Sequence, residues 1–370
     1  MNKFKIEKQL RGLYSSSVLS NLSLTGAWVA ILAARGYSLV EIGIAETVFH
    51  IVSLIFEIPS GIFADVFGRK KMLMVSTVMR MIGNIIMIFS RNLFMVCLSI
   101  AFQALSFNFS SGSGDALAYD SLKMAERENE FEKYESNQLI IYRLCGGIST
   151  LCAGFALYLG HMISYGTDLV TGVIQIFILS SLCEIRADVR ENAVQRRTAK
   201  ETVSELVSCF KESLAFLKEI KKTMGLMFCN ALVGAADILL LFFLQAKLPE
   251  KGIPGWSLGF ALLFMEMGGI AGARLILKAP KLKYATVFAI ASGLVLSGLI
   301  AEHSPSCLLM AVGGFLAAVG DDALQVRTNA KLQDMFPSEQ RATLTSVESF
   351  VFSAVMIVLS PLAGFVFSVW

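Results

Sequence analysis

The chain has 370 residues, of which 55% are hydrophobic and only 16% are charged, and its formal net charge is +3. A soluble globular domain carries about 25% charged residues, so this composition excludes an ordinary soluble protein. The small net charge gives no indication of a nucleic-acid partner, and none is expected.

The apolar residues occur in long runs, and a run of about 20 residues with few charges is typical of a transmembrane helix. Each such span must be a helix, because lipid offers no partners for free backbone N–H and C=O groups. The basic start of the chain shows no cleavage site for a signal peptide and is interpreted as the cytoplasmic lead of the first span. The pattern predicts eleven spans, numbered in chain order, near residues 12–34, 39–63, 72–90, 93–118, 137–159, 162–184, 223–246, 255–276, 284–301, 305–326 and 343–368.

Lys and Arg residues are distributed unevenly over the predicted loops. With the N-terminus in the cytoplasm, most of the 32 Lys and Arg residues fall on the cytoplasmic side. Such a bias sets the orientation of membrane proteins. It predicts an integral membrane protein with a cytoplasmic N-terminus. The outside loops hold only Arg35, Arg91, Lys247 and Lys251.

One long polar stretch interrupts the apolar runs at residues 186–222. Apolar residues recur in it with helical periodicity, which predicts a cytoplasmic amphipathic linker. The linker divides the chain into an N-terminal bundle of six helices, 1–185, and a C-terminal bundle of five, 223–370. The tripeptide Asp-Ala-Leu occurs at 115–117 and again at 322–324, each time at the cytoplasmic end of the fourth span of its half. Internal repeats are common in transporters whose substrate site lies between the two halves.

Several ionisable residues fall inside predicted spans, where a charge is costly and a functional role is the default hypothesis. A carboxylate in such a place can load or release a proton as access changes from one side of the membrane to the other. Pairing of these charges within the protein is the structural alternative. The candidates for a coupling or substrate site are Glu57, Arg80, Arg143, Asp237 and Glu266.

Other charged residues of the spans are assigned less specifically. A functional and a structural role are equally open for Glu46, His50 and Glu348. Structural or gating roles are expected for residues near the cytoplasmic ends of spans, namely Asp115, Asp321 and Asp322.

The loop after the second span reads GIFADVFGRKK, residues 61–71, and is called the signature loop below. Gly61 lets a neighbouring helix pack closely, Gly68 permits a tight turn, and the three cations anchor the loop among anionic headgroups. The pattern G-x-x-x-D-x-x-G-R-K resembles the signature loop of the major facilitator superfamily. The matching residues are Gly61, Asp65, Gly68, Arg69 and Lys70.

The resemblance extends beyond this loop. Residues 56–65, 111–122 and 337–346 are similar to segments of a bacterial branch of efflux transporters in that superfamily. The resemblance implies an all-α polytopic protein of the plasma (cytoplasmic) membrane of a bacterium, with two helical bundles and a cavity between them. It also implies a twelfth span, which is missing here because the chain ends at Trp370 after eleven.

The resemblance also assigns a gate to the signature loop. It implies that Asp65 and Arg69 belong to a charge network between the two bundles, which holds one conformation and breaks in the other. Asp120, at the end of the fourth span, is similar to the acidic partner in such networks. The alternative is that the loop only anchors the topology.

The resemblance and the intramembrane charges together predict a secondary active transporter that works by alternating access and exports small amphipathic compounds coupled to protons. The alternatives are symport of a nutrient or metabolite by the same fold, and a transport-inactive sensor or scaffold. An enzyme is not expected, because catalytic motifs are absent and the three His residues, His50, His161 and His303, are far apart in the chain. No cofactor, metal or catalytic residue is expected. The expected partners are a small-molecule substrate, protons and the lipid bilayer, with the chain acting as a monomer.

Overall fold

The structure is a computed structural model that describes residues 3–185, 221–335 and 341–369. Within these ranges the regular structure is entirely helical. The predicted amphipathic linker, 186–222, lies outside the described residues except for its last two. The fold prediction can therefore be tested on the membrane-spanning helices, and the linker stays a prediction.

The described residues form fourteen α-helices and two short 3-10 turns. The turns are Leu24–Ala27 and Glu128–Glu130. The helices are α1 (Lys3–Asn21), α2 (Trp28–Ala34), α3 (Leu39–Phe67), α4 (Arg69–Phe89), α5 (Leu93–Ser110), α6 (Ser113–Met124), α7 (Phe131–Leu151), α8 (Ala153–Leu159), α9 (His161–Ser180), α10 (Lys221–Glu250), α11 (Gly255–Leu277), α12 (Tyr284–Ala301), α13 (Cys307–Met335) and α14 (Arg341–Val369).

Ten stretches of the described chain are long and apolar enough to cross a membrane, and the bent pair of α7 and α8 makes an eleventh. This confirms the prediction of an all-α polytopic membrane protein with about eleven spans. Among the described residues, three spans are not single straight helices. Span 1 consists of α1, the turn Leu24–Ala27 and α2, and span 4 consists of α5 and α6. Span 5 bends by 51° between α7 and α8.

The first of two compact units consists of residues 1–26, 52–149 and 161–212. In it α4 packs against α5, α6 and α9, and α1 packs against α6 and α9. An apolar core that includes Leu117 and Leu179 joins α1, α6 and α9. Since these side chains are removed from both water and lipid, the core fixes how the three helices meet.

Arg127 fastens the turn between α6 and α7 to the start of α1. It donates hydrogen bonds to Glu130 at 2.5 Å and to Glu7 at 3.1 Å. These hydrogen bonds, first to Glu130 and then to Glu7, raise the pKa of Arg127 above its ordinary value. Its charge is therefore permanent and ties this end of the first unit together.

The second unit consists of residues 27–51, 150–160 and 213–370. Helix α13 packs against α10, α11 and α12, and α10 also packs against α14 and α2. Close packing depends on glycines: a Cβ on Gly268 or Gly272 of α11 would collide with a backbone carbonyl of α13. Two glycines four residues apart lie on one helix face, so the backbones of α11 and α13 touch directly.

The two units differ from the predicted bundles, 1–185 and 223–370, in two segments. Residues 27–51 and 150–160 belong to the second unit. The reason is again close backbone approach, because Gly43 of α3 lies against the carbonyl of Ser360 on α14. In the same way Gly154 of α8 lies against the backbone of α11.

Candidate functional site

Three aspartates of the second unit form the acidic cluster, which consists of Asp237 on α10 and Asp321 and Asp322 on α13. Asp237 lies in the middle of its helix and only 4% of its surface is exposed. Asp321 and Asp322 are half-buried and lie in the middle of the 29-residue helix α13. The prediction placed the end of this span near residue 326, whereas α13 continues to Met335. The two aspartates therefore lie deeper in the helix than expected.

The consecutive aspartates of α13 face two different helices. A Cβ built on Gly234 of α10 would lie 3.1 Å from Oδ1 of Asp321. A Cβ on Gly269 of α11 would collide with Oδ2 of Asp322. Each carboxylate thus occupies space that a glycine leaves free, which places Asp321 in the contact between α10 and α13.

Asp237 lies close to two further negative charges. The carboxylates of Asp321 and Asp322 lie near enough to repel a negative charge on Asp237. Among the described residues, Oδ1 of Asp237 has no hydrogen-bond partner, and no cation offsets the charge of Asp237 or Asp321. The described part of the chain also contains no group of three residues with the geometry of a metal site. A buried carboxylate without a donor can lower its cost by taking up a proton.

Two further acceptors accompany Asp237 on α10. Oδ1 of Asn230 and Oε1 of Gln245 are buried and have no hydrogen-bond partner within the described ranges. Positions 230, 237 and 245 are seven and eight residues apart, which places all three on one face of the helix. This face of α10 therefore presents a row of unpaired oxygen acceptors.

The other predicted coupling residues lie in separate surroundings. Glu57 is half-buried on α3 and Arg143 is exposed on α7, both in the first unit. Glu266 is exposed on α11 of the second unit, where its carboxylate accepts a hydrogen bond of 2.8 Å from Thr150. The structure therefore does not gather the predicted residues into one cluster, and a coupling role for each stays a prediction.

Arg80 belongs to a polar network inside the first unit. Its guanidinium donates to the carbonyl of Ser20 at 3.2 Å and to the side chain of Gln175. Gln175 in turn donates to the hydroxyls of Ser16 at 2.9 Å and Ser20 at 2.7 Å. The network joins α1, α4 and α9, which is the structural pairing considered as the alternative for Arg80.

Asp168 on α9 was missed by the sequence analysis. It is only 6% exposed, and it accepts hydrogen bonds from the hydroxyls of Ser23 at 2.8 Å and Thr25 at 2.6 Å. It also lies near enough to stabilise the charge of Arg80. The rule that selected Arg80, an ionisable residue inside an apolar span, would have selected Asp168 as well.

The signature loop makes its contacts within the first unit. Gly68 has a φ of 101°, a conformation that confirms the predicted tight turn. Arg69 donates to the carbonyl of Ala116 at 2.6 Å and forms an ion pair with Asp120. The backbone of Asp65 lies in α3. A role of this loop as a gate stays a prediction.

The expectation of close packing at Gly61 is wrong for the described residues. A Cβ built at this position would meet no atom within 4 Å. The reason is that the surface of Gly61 is exposed, so no neighbouring helix uses the space.

Glu184, which follows α9, is a second residue that the sequence analysis missed. Its carboxylate accepts hydrogen bonds of 3.3 Å from the backbone N–H groups of Lys70 and Lys71. These N–H groups lie in the first turn of α4, where they have no partner within the helix and where a negative charge is favourable. The side chain of Lys70 donates to the carbonyls of Ser180 and Leu182 at 2.8 Å each. Glu184 and Lys70 thus fasten the signature loop to the end of α9.

Comparisons with known proteins agree with this architecture. The family model of the Major Facilitator Superfamily matches residues 13–306. An uncharacterised MFS-type transporter of Bacillus subtilis (strain 168), YxaM, is 24% identical over 351 residues, which cover 91% of this chain and 84% of that protein.

Solved structures share the fold at low sequence identity. The nucleoside transporter NupG (D323A mutant) superposes with a TM-score of 0.75 at 15% identity, covering 97% of this chain and 91% of that one. A D-xylose-proton symporter superposes with a TM-score of 0.63 at 10% identity, covering 97% and 88%. The match of the family model over most of the sequence shows that this chain belongs to the Major Facilitator Superfamily and is an integral membrane transporter.

Proposed function

We propose that the protein is a proton-coupled secondary transporter that works by alternating access, and that the acidic cluster is its proton site. The observation that carries this proposal is the buried carboxylate of Asp237, which has no hydrogen-bond partner for Oδ1 in the described chain and which faces two further carboxylates. An isolated buried carboxylate is expensive and takes up a proton to remove the cost.

The position of Asp321 supports a link between proton binding and helix movement. This residue lies against Gly234 in the contact between α10 and α13. Loss of a proton from the cluster adds repulsion directly within that contact, and at the effective dielectric of a protein such repulsion amounts to about a few kcal/mol. A free energy of this size is enough to shift the equilibrium between two conformations.

The proposed cargo is a small amphipathic compound, and the proposed direction is export. The resemblance of segments 56–65 and 111–122 to efflux transporters supports the direction. The oxygen acceptors of Asn230, Asp237 and Gln245 support a cargo that donates hydrogen bonds.

Nutrient symport is the second candidate. A D-xylose-proton symporter and a nucleoside transporter have the same fold. Their similarity to this chain is at the level of the fold, so it supports the mechanism of alternating access more than it supports either cargo.

We further propose that the protein works as a monomer in a bacterial plasma membrane, with its N-terminus in the cytoplasm. The excess of Lys and Arg on one side of the predicted topology supports this orientation. Labelling of single cysteines placed in the loops of intact cells would test the orientation, and native mass spectrometry would test the oligomeric state.

The experiment that tests the function uses the purified protein in liposomes with a pH gradient. Ethidium, uridine and D-xylose serve as probes of an amphipathic cation with N–H donors, a nucleoside and a pentose. The membrane potential is held at zero with valinomycin and equal K+. Export coupled to protons predicts that ethidium accumulates only with an acidic interior, that a protonophore abolishes the accumulation, and that Asp237→Asn abolishes it too. Glu250→Gln is the matched control, because Glu250 is exposed at the end of the same helix.

Two outcomes would contradict the proposal. Accumulation of D-xylose or uridine together with protons would show symport instead of export. Transport that is unchanged by the protonophore and by Asp237→Asn would remove proton coupling from the mechanism.

A further inference from the structure

Span 1 is interrupted although it contains no proline near the interruption. Helix α1 ends at Asn21 and helix α2 begins at Trp28, with a 3-10 turn over Leu24–Ala27 between them. Sharp breaks in helices follow from proline, of which the segment from 21 to 27 has none, or from glycine and serine, which it contains as Gly26 and Ser23. Within the segment the N–H of Thr25 donates to the hydroxyl of Ser23 at 3.0 Å. Contacts from other spans add to this local bond.

Side chains from two other spans satisfy the backbone at the interruption. The hydroxyl of Ser149, near the end of α7, accepts from the N–H of Ser23 at 3.0 Å and donates to the carbonyl of Asn21 at 3.1 Å. Asp168 of α9 accepts from Ser23 and Thr25, as described above, and from the N–H of Leu24. Free backbone groups cost several kcal/mol each in lipid, so these bonds make the interruption stable.

The network around Arg80 supports Asp168 from the opposite side. Arg80 binds the carbonyl of Ser20, just before the interruption, and its charge stabilises that of Asp168. As an anion, the carboxylate can accept several hydrogen bonds at once.

The interruption lies where the chain leaves the first unit. The first unit ends at Gly26 in span 1 and at Ser149 in span 5, and the second unit begins with the next residue in each case. Span 5 bends by 51° just beyond Ser149. The interruption of span 1 and the bend of span 5 are thus linked by the bonds between Ser149 and span 1.

We propose that Asp168 is a positioning residue for transport, which holds the interruption of span 1 as a ready-made joint between the two halves of that span. Because side chains already satisfy the backbone there, the halves of span 1 can change their relative orientation without breaking helical hydrogen bonds. The inference rests on the proposed function, since the joint matters only if the protein changes conformation.

The experiment has one arm that needs no substrate. In a cysteine-free background, spin labels at Ser15→Cys and Ala34→Cys occupy exposed positions on the two halves of span 1. Nineteen residues of straight helix would separate them by about 28 Å, which is suited to pulsed dipolar spectroscopy. We expect Asp168→Ala to broaden the distance distribution. Thr167→Ala is the control, because within the described ranges the hydroxyl of this neighbour donates to the carbonyl of Ser164 in its own helix.

The second arm measures ethidium transport. Asp168→Ala should lower kcat roughly tenfold, the effect expected from losing charge-assisted hydrogen bonds, and leave KM nearly unchanged because a positioning residue acts through span 1 and makes no contact with the cargo. Asp168→Asn should retain most of the activity, since its carbonyl oxygen can still accept from Ser23 and Thr25. If Asp168→Ala does not fold, the pair Ser23→Ala with Thr25→Ala removes the same hydrogen bonds.

An unchanged label distribution in Asp168→Ala would overturn this inference, and so would an equal loss of activity in Asp168→Asn and Asp168→Ala. If the wild-type protein moves none of the probes, the proposed function fails instead. The label arm still reports whether Asp168 holds the joint.

Discussion

Oδ1 of Asp321 lies 3.1 Å from the point where a Cβ on Gly234 would be, so a carboxylate of α13 rests on the bare backbone of α10. A buried carboxylate usually approaches a neighbouring helix through a donor side chain. Here it approaches through a glycine, close to another carboxylate, that of Asp237. The contact is therefore sensitive to the volume and to the charge of its members.

Gly234→Ala should reduce both stability and transport. The added methyl group would press on the carboxylate of Asp321, and overpacking of this kind costs about 1–3 kcal/mol. Gly225→Ala on the same helix is the control, because a Cβ there would meet nothing within 4 Å. Thermal unfolding of the detergent-purified variants measures the difference. Equal melting temperatures of Gly234→Ala and Gly225→Ala would show that the contact between Gly234 and Asp321 has room for a methyl group.

Asp237→Asn and Glu302→Gln should change stability in opposite directions. Asp237→Asn removes an unpaired charge at nearly constant volume, so we expect the free energy of unfolding at neutral pH to rise by about 1 kcal/mol. Glu302 is buried too, but it forms an ion pair with Lys247. Its neutralisation leaves the Lys247 charge unpaired and should destabilise by roughly 3 kcal/mol. A loss of stability in both variants would indicate that Asp237 has a donor partner in the folded protein.

Gly43→Ala should destabilise the second unit, whereas Gly61→Ala should not. Both glycines lie on α3, but a Cβ on Gly43 would collide with the carbonyl of Ser360, and a Cβ on Gly61 would meet nothing within 4 Å. Replacing an unhindered helical glycine by alanine stabilises a helix by up to about 1 kcal/mol. The melting temperature should therefore fall for Gly43→Ala and stay the same or rise for Gly61→Ala. An unchanged or higher melting temperature in both variants would contradict the close approach of α3 and α14.

Arg69→Ala and Asp120→Asn should be coupled in a double-mutant cycle. The ion pair is partly exposed, with side chains 24% and 18% accessible, so solvent screening limits the coupling energy to about 1 kcal/mol. Chemical denaturation of the four proteins gives this energy. Lys251→Ala, at an exposed position of the second unit after α10, replaces Arg69→Ala in a control cycle that should show no coupling with Asp120→Asn. Additive effects of Arg69 and Asp120 would argue against the ion pair.

The number of spans could be predicted because lipid permits little besides helices, and a run of apolar residues is visible in the sequence. The hydrogen bonds that stabilise the interruption of span 1 could not, because Ser149 and Asp168, which make them, are more than a hundred residues away. The acidic cluster was predicted in part. Asp237 was selected, but Asp321 and Asp322 were assigned to the end of a span since the apolar run fades before the helix does.

The contact of Glu184 with the signature loop could not be predicted from the sequence either. The pattern of this loop identified the family, but the residue that caps the start of α4 follows a different span and is separated from Lys70 by more than a hundred positions. A partner of this kind is defined by packing in three dimensions, and a local pattern carries no information about it.

The glycine contacts of α3 with α14, and of α8 with α11, are made by backbone atoms on both sides. Surfaces built from backbone have no rotamers to reset when they separate. At the glycines themselves, separation therefore needs no side-chain rearrangement and costs mainly dispersion energy. Between α3 and α14 the contact of His50 with Ser353, at 3.3 Å, has to break as well. A larger residue at Gly43 or Gly154 would introduce a rotameric step, so these glycines govern how fast the surfaces can part as well as how closely they fit.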